Sequence, residues 1–172
     1  MRRREKVDDD ARRPFRNEST SGTAVIVGLC AALTASSAWA ESSPFVGRWH
    51  WNREQSTLPP GEPAPADLTN EISRAGSDRL TWSVTIVTLD GPSDVVTFDA
   101  PADGKWYPVG SDSTASARVT GDTLQATFRE PGGRSDAQTC TVAADQKQMT
   151  CRGVLTEPDG QTMTYVDVFD RM

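Results

Sequence analysis

Few residues of this sequence combine the chemistry and spacing of a catalytic or metal site. The sequence contains a single histidine, His50, and any Ser-His-Asp arrangement would have to use it. His50 lies between Trp49 and Trp51, so strand alternation turns it towards solvent if the tryptophans face inward. No nucleophile elbow, calcium loop or glycine-rich phosphate loop accompanies it. We therefore predict no enzymatic activity, no catalytic residue, no metal and no cofactor; a haem or metal role would need His50 inward.

Cys140 and Cys151 are candidates for a structural disulfide. A tight turn at residues 145–146 would place Cys140 opposite Cys151, and Val142 opposite Met149 on the same side of a sheet. A reactive dithiol is the alternative, but the spacing is not that of a Cys-x-x-Cys motif. We predict a disulfide that closes a short loop and stabilises the fold by about 2–3 kcal/mol.

These residues must be positioned by β-strands, because the chain between turns alternates apolar and polar residues and is rich in Thr, Val and aromatics. We predict eight to ten antiparallel strands, in an all-β up-and-down meander closed into a barrel. The runs are 45–53, 68–74, 80–89, 94–99, 116–120, 123–129, 137–142, 148–155 and 162–171, with a short further one at 105–109 broken at Pro108. Residues 55–67 form a proline-rich loop, interpreted as an extended arm across one end of the sheet, with a ligand-gating lid as the alternative.

The hairpin before the last strand fixes which of its side chains share a face. A three-residue turn at 158–160 would pair Leu155 with Met163 and Cys151 with Asp167. Because side chains alternate, the face of the cysteine pair then continues along the odd-numbered residues of the last strand.

The two ends of this strand set resemble the calycin pattern of lipocalins and fatty-acid-binding proteins. In those folds a Gly-x-Trp on the first strand lies under a basic residue from the end of the last strand, and Gly47, Trp49 and Arg171 match these positions. Phe45 matches the aromatic residue that precedes the motif in fatty-acid-binding proteins. The chain is more similar still to small uncharacterised bacterial exported barrels, which carry G-x-W-x-x-N, D-G-K-x-Y-P-V and aromatic-acid-Arg segments; here the second of these spans 103–109.

The resemblance implies that the first and last strands pair, with Trp49 opposite Arg171. That register would also place Arg53 opposite Asp167. The interior is then either a cavity with apolar walls and a polar anchor, or a filled barrel in which Arg171 stacks on Trp49 and Asp167 neutralises Arg53. The hypothetical ligand-binding residues of this inner face are Trp49, Trp51, Arg53, Trp82, Phe128, Tyr165, Asp167, Phe169 and Arg171.

Residues 1–40 have the organisation of a cleaved signal peptide. A basic segment precedes an apolar stretch at 23–33, and Ala38 and Ala40 suit signal peptidase, so we expect cleavage between Ala40 and Glu41. The apolar stretch is too short to span a bilayer, so we predict no stable membrane anchor. The expected product is one domain, 41–172, exported to the periplasm or the extracellular space by general secretion or, given the arginine pair at 12–13, the twin-arginine route.

Charge and fold together limit the functional classes. A net charge of −6 argues against a nucleic-acid partner. We predict a non-enzymatic exported barrel that binds a small apolar or amphipathic molecule. The alternative is a structural or interaction protein of the cell envelope with a filled barrel and no ligand; the sequence identifies no protein partner.

Overall fold

The computed structural model describes residues 43–172; the predicted signal peptide, 1–40, and its cleavage junction between Ala40 and Glu41 lie outside them. The described chain forms ten β-strands, as the alternation predicts. They are β1 (Gly47–Trp51), β2 (Asp67–Ala75), β3 (Leu80–Val87), β4 (Ser93–Ala100), β5 (Asp103–Val109), β6 (Ser113–Thr120), β7 (Thr123–Arg129), β8 (Ser135–Val142), β9 (Gln148–Thr156) and β10 (Thr162–Arg171).

All ten strands belong to one antiparallel sheet, in the order β4-β3-β2-β1-β10-β9-β8-β7-β6-β5. The chain is therefore a meander whose first and last strands pair, and β4 and β5 are the two edges of a nearly closed barrel. Pro108 lies inside β5 rather than ending it. An edge strand tolerates proline because one side of it needs no N–H donor.

Three of the predicted pairings are confirmed. Trp49 pairs with Arg171 across β1 and β10, and Cys140 pairs with Cys151 across β8 and β9. Cys151 also pairs with Asp167, which places the disulfide on the inner face of the barrel. The two sulfur atoms are bonded, with the Cα atoms 4.0 Å apart.

The predicted pairing of Arg53 with Asp167 is wrong. The Asn52 amide donates to the Val168 carbonyl (2.7 Å), but the next bond of this kind runs from the Thr57 amide to the Val166 carbonyl (2.7 Å). The backbone of residues 53–56 therefore bulges away from β10 in a turn, although the Ser56 hydroxyl still accepts from the Val168 amide (3.0 Å). The Arg53 side chain is exposed. The regular register holds only as far as Asn52, where the bulge begins.

One end of the barrel, which we call the closed end, is sealed by Phe45, Trp49, Leu80 and Arg171. The first three side chains have no exposed surface, and the Arg171 guanidinium carbon lies 4.0 Å from the centre of the Trp49 ring. Gly47 has a φ of +147°, and a Cβ there would overlap Arg171 Nη1. The Gly-x-Trp spacing thus makes room for the guanidinium beside the tryptophan.

Candidate functional site

A cavity of about 590 Å³ lies inside the barrel, between the closed end and the turns that join β5 to β6 and β7 to β8. Asp112 and Glu130 line it at those turns and are exposed, so the cavity reaches the surface there. Its walls are mainly apolar side chains, supplied by both halves of the sheet: Leu68, Ile72, Trp82, Val84, Ile86, Val96, Val109, Leu124, Ala126, Phe128, Met149 and Phe169, together with the Cys140–Cys151 disulfide.

Aromatic rings form one side of this cavity. The ring centres of Trp82 and Phe98 are 5.8 Å apart with the planes at 19°, and those of Trp82 and Phe128 are 6.0 Å apart at 70°. Phe98 is buried behind Trp82, and Trp82 and Phe128 line the cavity. Such packing fixes the orientation of the rings, so a ligand would meet a preformed aromatic surface.

A hydrogen-bonded group on β8 and β10 interrupts the apolar wall. The Tyr165 hydroxyl donates to Asp136 Oδ2 (2.6 Å), and Gln138 Nε2 donates to the same oxygen (2.7 Å). Gln138 Nε2 also lies 2.6 Å from the Tyr165 hydroxyl. Asp136 and Gln138 line the cavity and make this part of its wall polar.

Gly153 makes this group possible. It faces Tyr165 across β9 and β10, and a Cβ built on it would overlap the tyrosine ring. Because the glycine has no side chain, the ring lies flat over β9 and its hydroxyl reaches Asp136 on β8.

Burial changes the acidity of all three ionisable groups on this face. Loss of solvation raises the pKa of Asp136, against the hydrogen bonds from Tyr165 and Gln138, which lower it. Loss of solvation is also the main reason that the pKa of Asp167 is raised, and the negative charge of Asp136 adds to this. The pKa of Tyr165 is raised by burial and by Asp136, so its hydroxyl stays a hydrogen-bond donor.

The nine predicted ligand-binding residues divide into three groups. Trp82, Phe128, Asp167 and Phe169 line the cavity. Trp49 and Arg171 seal the closed end, Trp51 donates its indole N–H to Asp167 Oδ1 (3.0 Å), and Tyr165 orients Asp136. Arg53 lies outside the barrel, in the bulge after β1. The contact with Asp167 that was expected for Arg53 is made by Trp51.

The sequence reasoning missed Asn70, Asp136 and Gln138, which also line the cavity. A signal for two of them was present: Asp136 and Gln138 precede Cys140 by four and two residues. Because alternate residues of a strand share a face, an inward Cys140 places both side chains inside.

The single histidine lies on the outer face of the barrel. His50 is exposed, as predicted, with Nε2 2.9 Å from Asp67 Oδ1. Within residues 43–172, no group of three or more His, Cys, Asp or Glu side chains is arranged to hold a metal ion. The same part of the chain contains no helix that is long and apolar enough to cross a membrane.

Comparison with known proteins supports a fold and no closer relationship. No protein-family model and no curated protein matches the sequence. Among solved structures, the chain is similar to zebrafish ileal bile acid-binding protein complexed with cholic acid. The match has a TM-score of 0.50 and 18% sequence identity, and it covers 76% of this chain and 100% of that one. A redesigned β-barrel matches with a TM-score of 0.49 and 13% identity over 76% of this chain and 93% of that one. The chain therefore has the fold of the calycin-like β-barrels related to fatty-acid-binding proteins.

Proposed function

We propose that this protein is a non-enzymatic, exported carrier or receptor that binds a small, largely apolar molecule inside its barrel. The observation that carries the proposal is the cavity of about 590 Å³. Pockets for small molecules commonly measure roughly 300–1,000 Å³ and combine apolar walls with a few polar groups. This cavity combines the Trp82 and Phe128 rings with Asp136, Gln138 and Asp167.

The distribution of the large side chains also supports an open interior. Trp49 and Arg171 stack at the closed end, as a filled barrel would require. Beyond that end, small side chains such as Ala126 face inward and leave the space that larger residues would fill. A filled barrel without ligand is therefore the weaker alternative.

The similar zebrafish barrel supports the size class of the ligand, since its structure contains cholic acid. A proposal of binding without catalysis is supported by the position of the single histidine, which is exposed on β1 and contacts Asp67. Export remains part of the proposal, on the ground of the sequence before Glu41. Intact mass of the mature protein from a bacterial host tests it, and a chain that keeps residues before Ala40 would contradict it.

Binding can be tested with N-phenyl-1-naphthylamine, a neutral dye that fluoresces strongly in apolar surroundings. We expect saturable fluorescence with the purified protein, together with quenching of tryptophan emission, because Trp82 lines the cavity. Ala126→Trp should abolish most of the signal, because its ring would occupy the cavity.

Gln125→Trp is the matched control, since the neighbouring side chain of β7 is exposed and points away from the interior. This variant should bind the dye as the parent does. Thermal unfolding and far-UV circular dichroism would verify that both variants fold. Equal dye binding by the parent and by a folded Ala126→Trp variant would refute binding inside the barrel.

A further inference from the structure

The cavity carries charge of one sign only. Among the described residues that line it are four carboxylates, Asp112, Glu130, Asp136 and Asp167, and no lysine, arginine or histidine. Asp112 and Glu130 lie at the turns where the cavity reaches the surface, whereas Asp136 and Asp167 lie inside the barrel. Low solvation there strengthens the effect of these two carboxylates on a bound charge.

Two arginines near the ends of the barrel, Arg171 and Arg134, are bound to other partners. Arg171 stacks on Trp49 and donates to the Pro44 and Val46 carbonyls (2.6 and 2.8 Å). Arg134, the cation that lies nearest in sequence to Asp136, has Nη2 2.7 Å from Glu62 Oε1 and is also held by a second glutamate. Neither guanidinium lines the cavity, although the charge of Arg134 acts on Asp136 from outside it and lowers the pKa of that carboxyl against the effect of burial.

The unsatisfied polar atoms of the cavity wall are acceptors. Asp136 Oδ1 and Asn70 Oδ1 are buried and have no hydrogen-bond partner, while Asp136 Oδ2 already accepts two hydrogen bonds. Asp167 Oδ1 accepts from the Trp51 indole. Buried acceptors of this kind are stabilised by a donor, and a carboxylate most strongly by a cationic one.

The apolar wall fits the same ligand chemistry. The rings of Trp82, Phe128 and Phe169 line the cavity that contains the two inner carboxylates. Aromatic faces attract a cation and also pack against the hydrocarbon part of an amphipathic molecule.

We propose that the ligand is an amphipathic amine, whose hydrocarbon part packs against the aromatic wall and whose primary ammonium group is held by the carboxylates of Asp136 and Asp167. The inference rests on the proposed function of the cavity and adds the sign of the ligand's charge. It predicts the opposite polarity from a carrier of fatty acids or other carboxylates, for which this interior supplies no cation.

Displacement of N-phenyl-1-naphthylamine by three matched compounds tests the proposal: decylamine, 1-decanol and decanoate, each below its micelle concentration at about pH 7, where the amine is cationic. We expect decylamine to displace the dye at about tenfold lower concentration than decanol, the difference that one charge-assisted hydrogen bond gives. Decanoate should be the weakest competitor, because its carboxylate would meet two buried aspartates.

Variants separate a local effect from that of the net charge of the protein, −6. Asp136→Asn and Asp167→Asn should each remove most of the preference for decylamine over decanol. Asp122→Asn changes the net charge equally, but this side chain is exposed in the turn between β6 and β7 and should keep the preference.

The outcomes distinguish this inference from the proposed function. If the dye binds but decanol or decanoate displaces it at the same concentration as decylamine or at a lower one, the amine assignment is overturned. The cavity would then bind a neutral or anionic ligand. An equal loss of preference in Asp122→Asn would overturn it as well, since the attraction would then come from overall charge. Absence of binding by the dye and all three compounds would overturn both proposals.

Discussion

Removal of the Arg171 side chain tests how the barrel is closed. The guanidinium stacks on the fully buried Trp49 ring, a contact worth about 1–2 kcal/mol when partly desolvated. It also donates to the Pro44 and Val46 carbonyls, at about 1 kcal/mol each, and to the more exposed Gln146 carbonyl (2.5 Å). We therefore expect Arg171→Ala to lower the free energy of unfolding by about 3 kcal/mol.

Urea unfolding followed by far-UV circular dichroism measures this loss. With a slope of about 2 kcal/mol per molar urea, the midpoint should fall by about 1.5 M, while the strand signal of the native state stays unchanged. Arg171→Lys should recover only part of the loss, because an ammonium lacks the planar face and the fork of donors. Arg152→Ala, on the exposed face of β9, is the control and should change stability by no more than about 0.5 kcal/mol. An Arg171→Ala midpoint equal to that of the control would refute the closure argument.

Three further perturbations test the interior. Replacing both Cys140 and Cys151 by alanine should cost about 2–3 kcal/mol, because the disulfide closes a loop in the unfolded chain; an unchanged urea midpoint would contradict this. Gly153→Ala should cost about 1–3 kcal/mol by displacing the Tyr165 ring. In the double variant Gly153→Ala/Tyr165→Ala, the loss of stability should be smaller than the sum of the losses of the two single variants. A loss equal to that sum would argue against the contact. Asp136→Asn should become more stable relative to the parent as pH rises above about 4, the ordinary pKa of an aspartate. Burial raises the pKa of this carboxyl, so the folded parent is favoured while Asp136 is protonated and loses stability as the proton dissociates; a stability difference independent of pH would count against it.

The register of the barrel could be predicted from the sequence because each turn and each matched pair fixes one alignment. A turn at 145–146 is enough to place Cys140 opposite Cys151, and the resemblance of both chain ends to calycins places Trp49 opposite Arg171. Because the side chains of a strand alternate between its two faces, one correct pair then decides the face of all the remaining residues of that strand.

The same reasoning fails after β1, where the side chains no longer alternate between the two faces of the sheet. The predicted pair of Arg53 and Asp167 assumed that β1 continues past Trp51, but residues 53–56 bulge out and Thr57 resumes the contact with β10. A bulge depends on how the loop packs against its neighbours, so local alternation does not reveal it. Trp51 instead donates to Asp167, a contact between residues that are not directly paired.

The sequence alone determined the strand composition and the disulfide, because these follow from local alternation and turn chemistry, whereas the pairing of Trp49 with Arg171 came from the resemblance of the chain ends to calycins. Only the tertiary structure decided whether the barrel is filled. That outcome depends on the summed volume of inward side chains from all parts of the sheet, and it leaves a cavity of about 590 Å³. The tertiary structure also brought Asn70, Asp136 and Asp167 from three separate strands to the lining of one cavity. Their convergence on one cavity is a property of the nearly closed barrel, since no two of them are neighbours in the sequence.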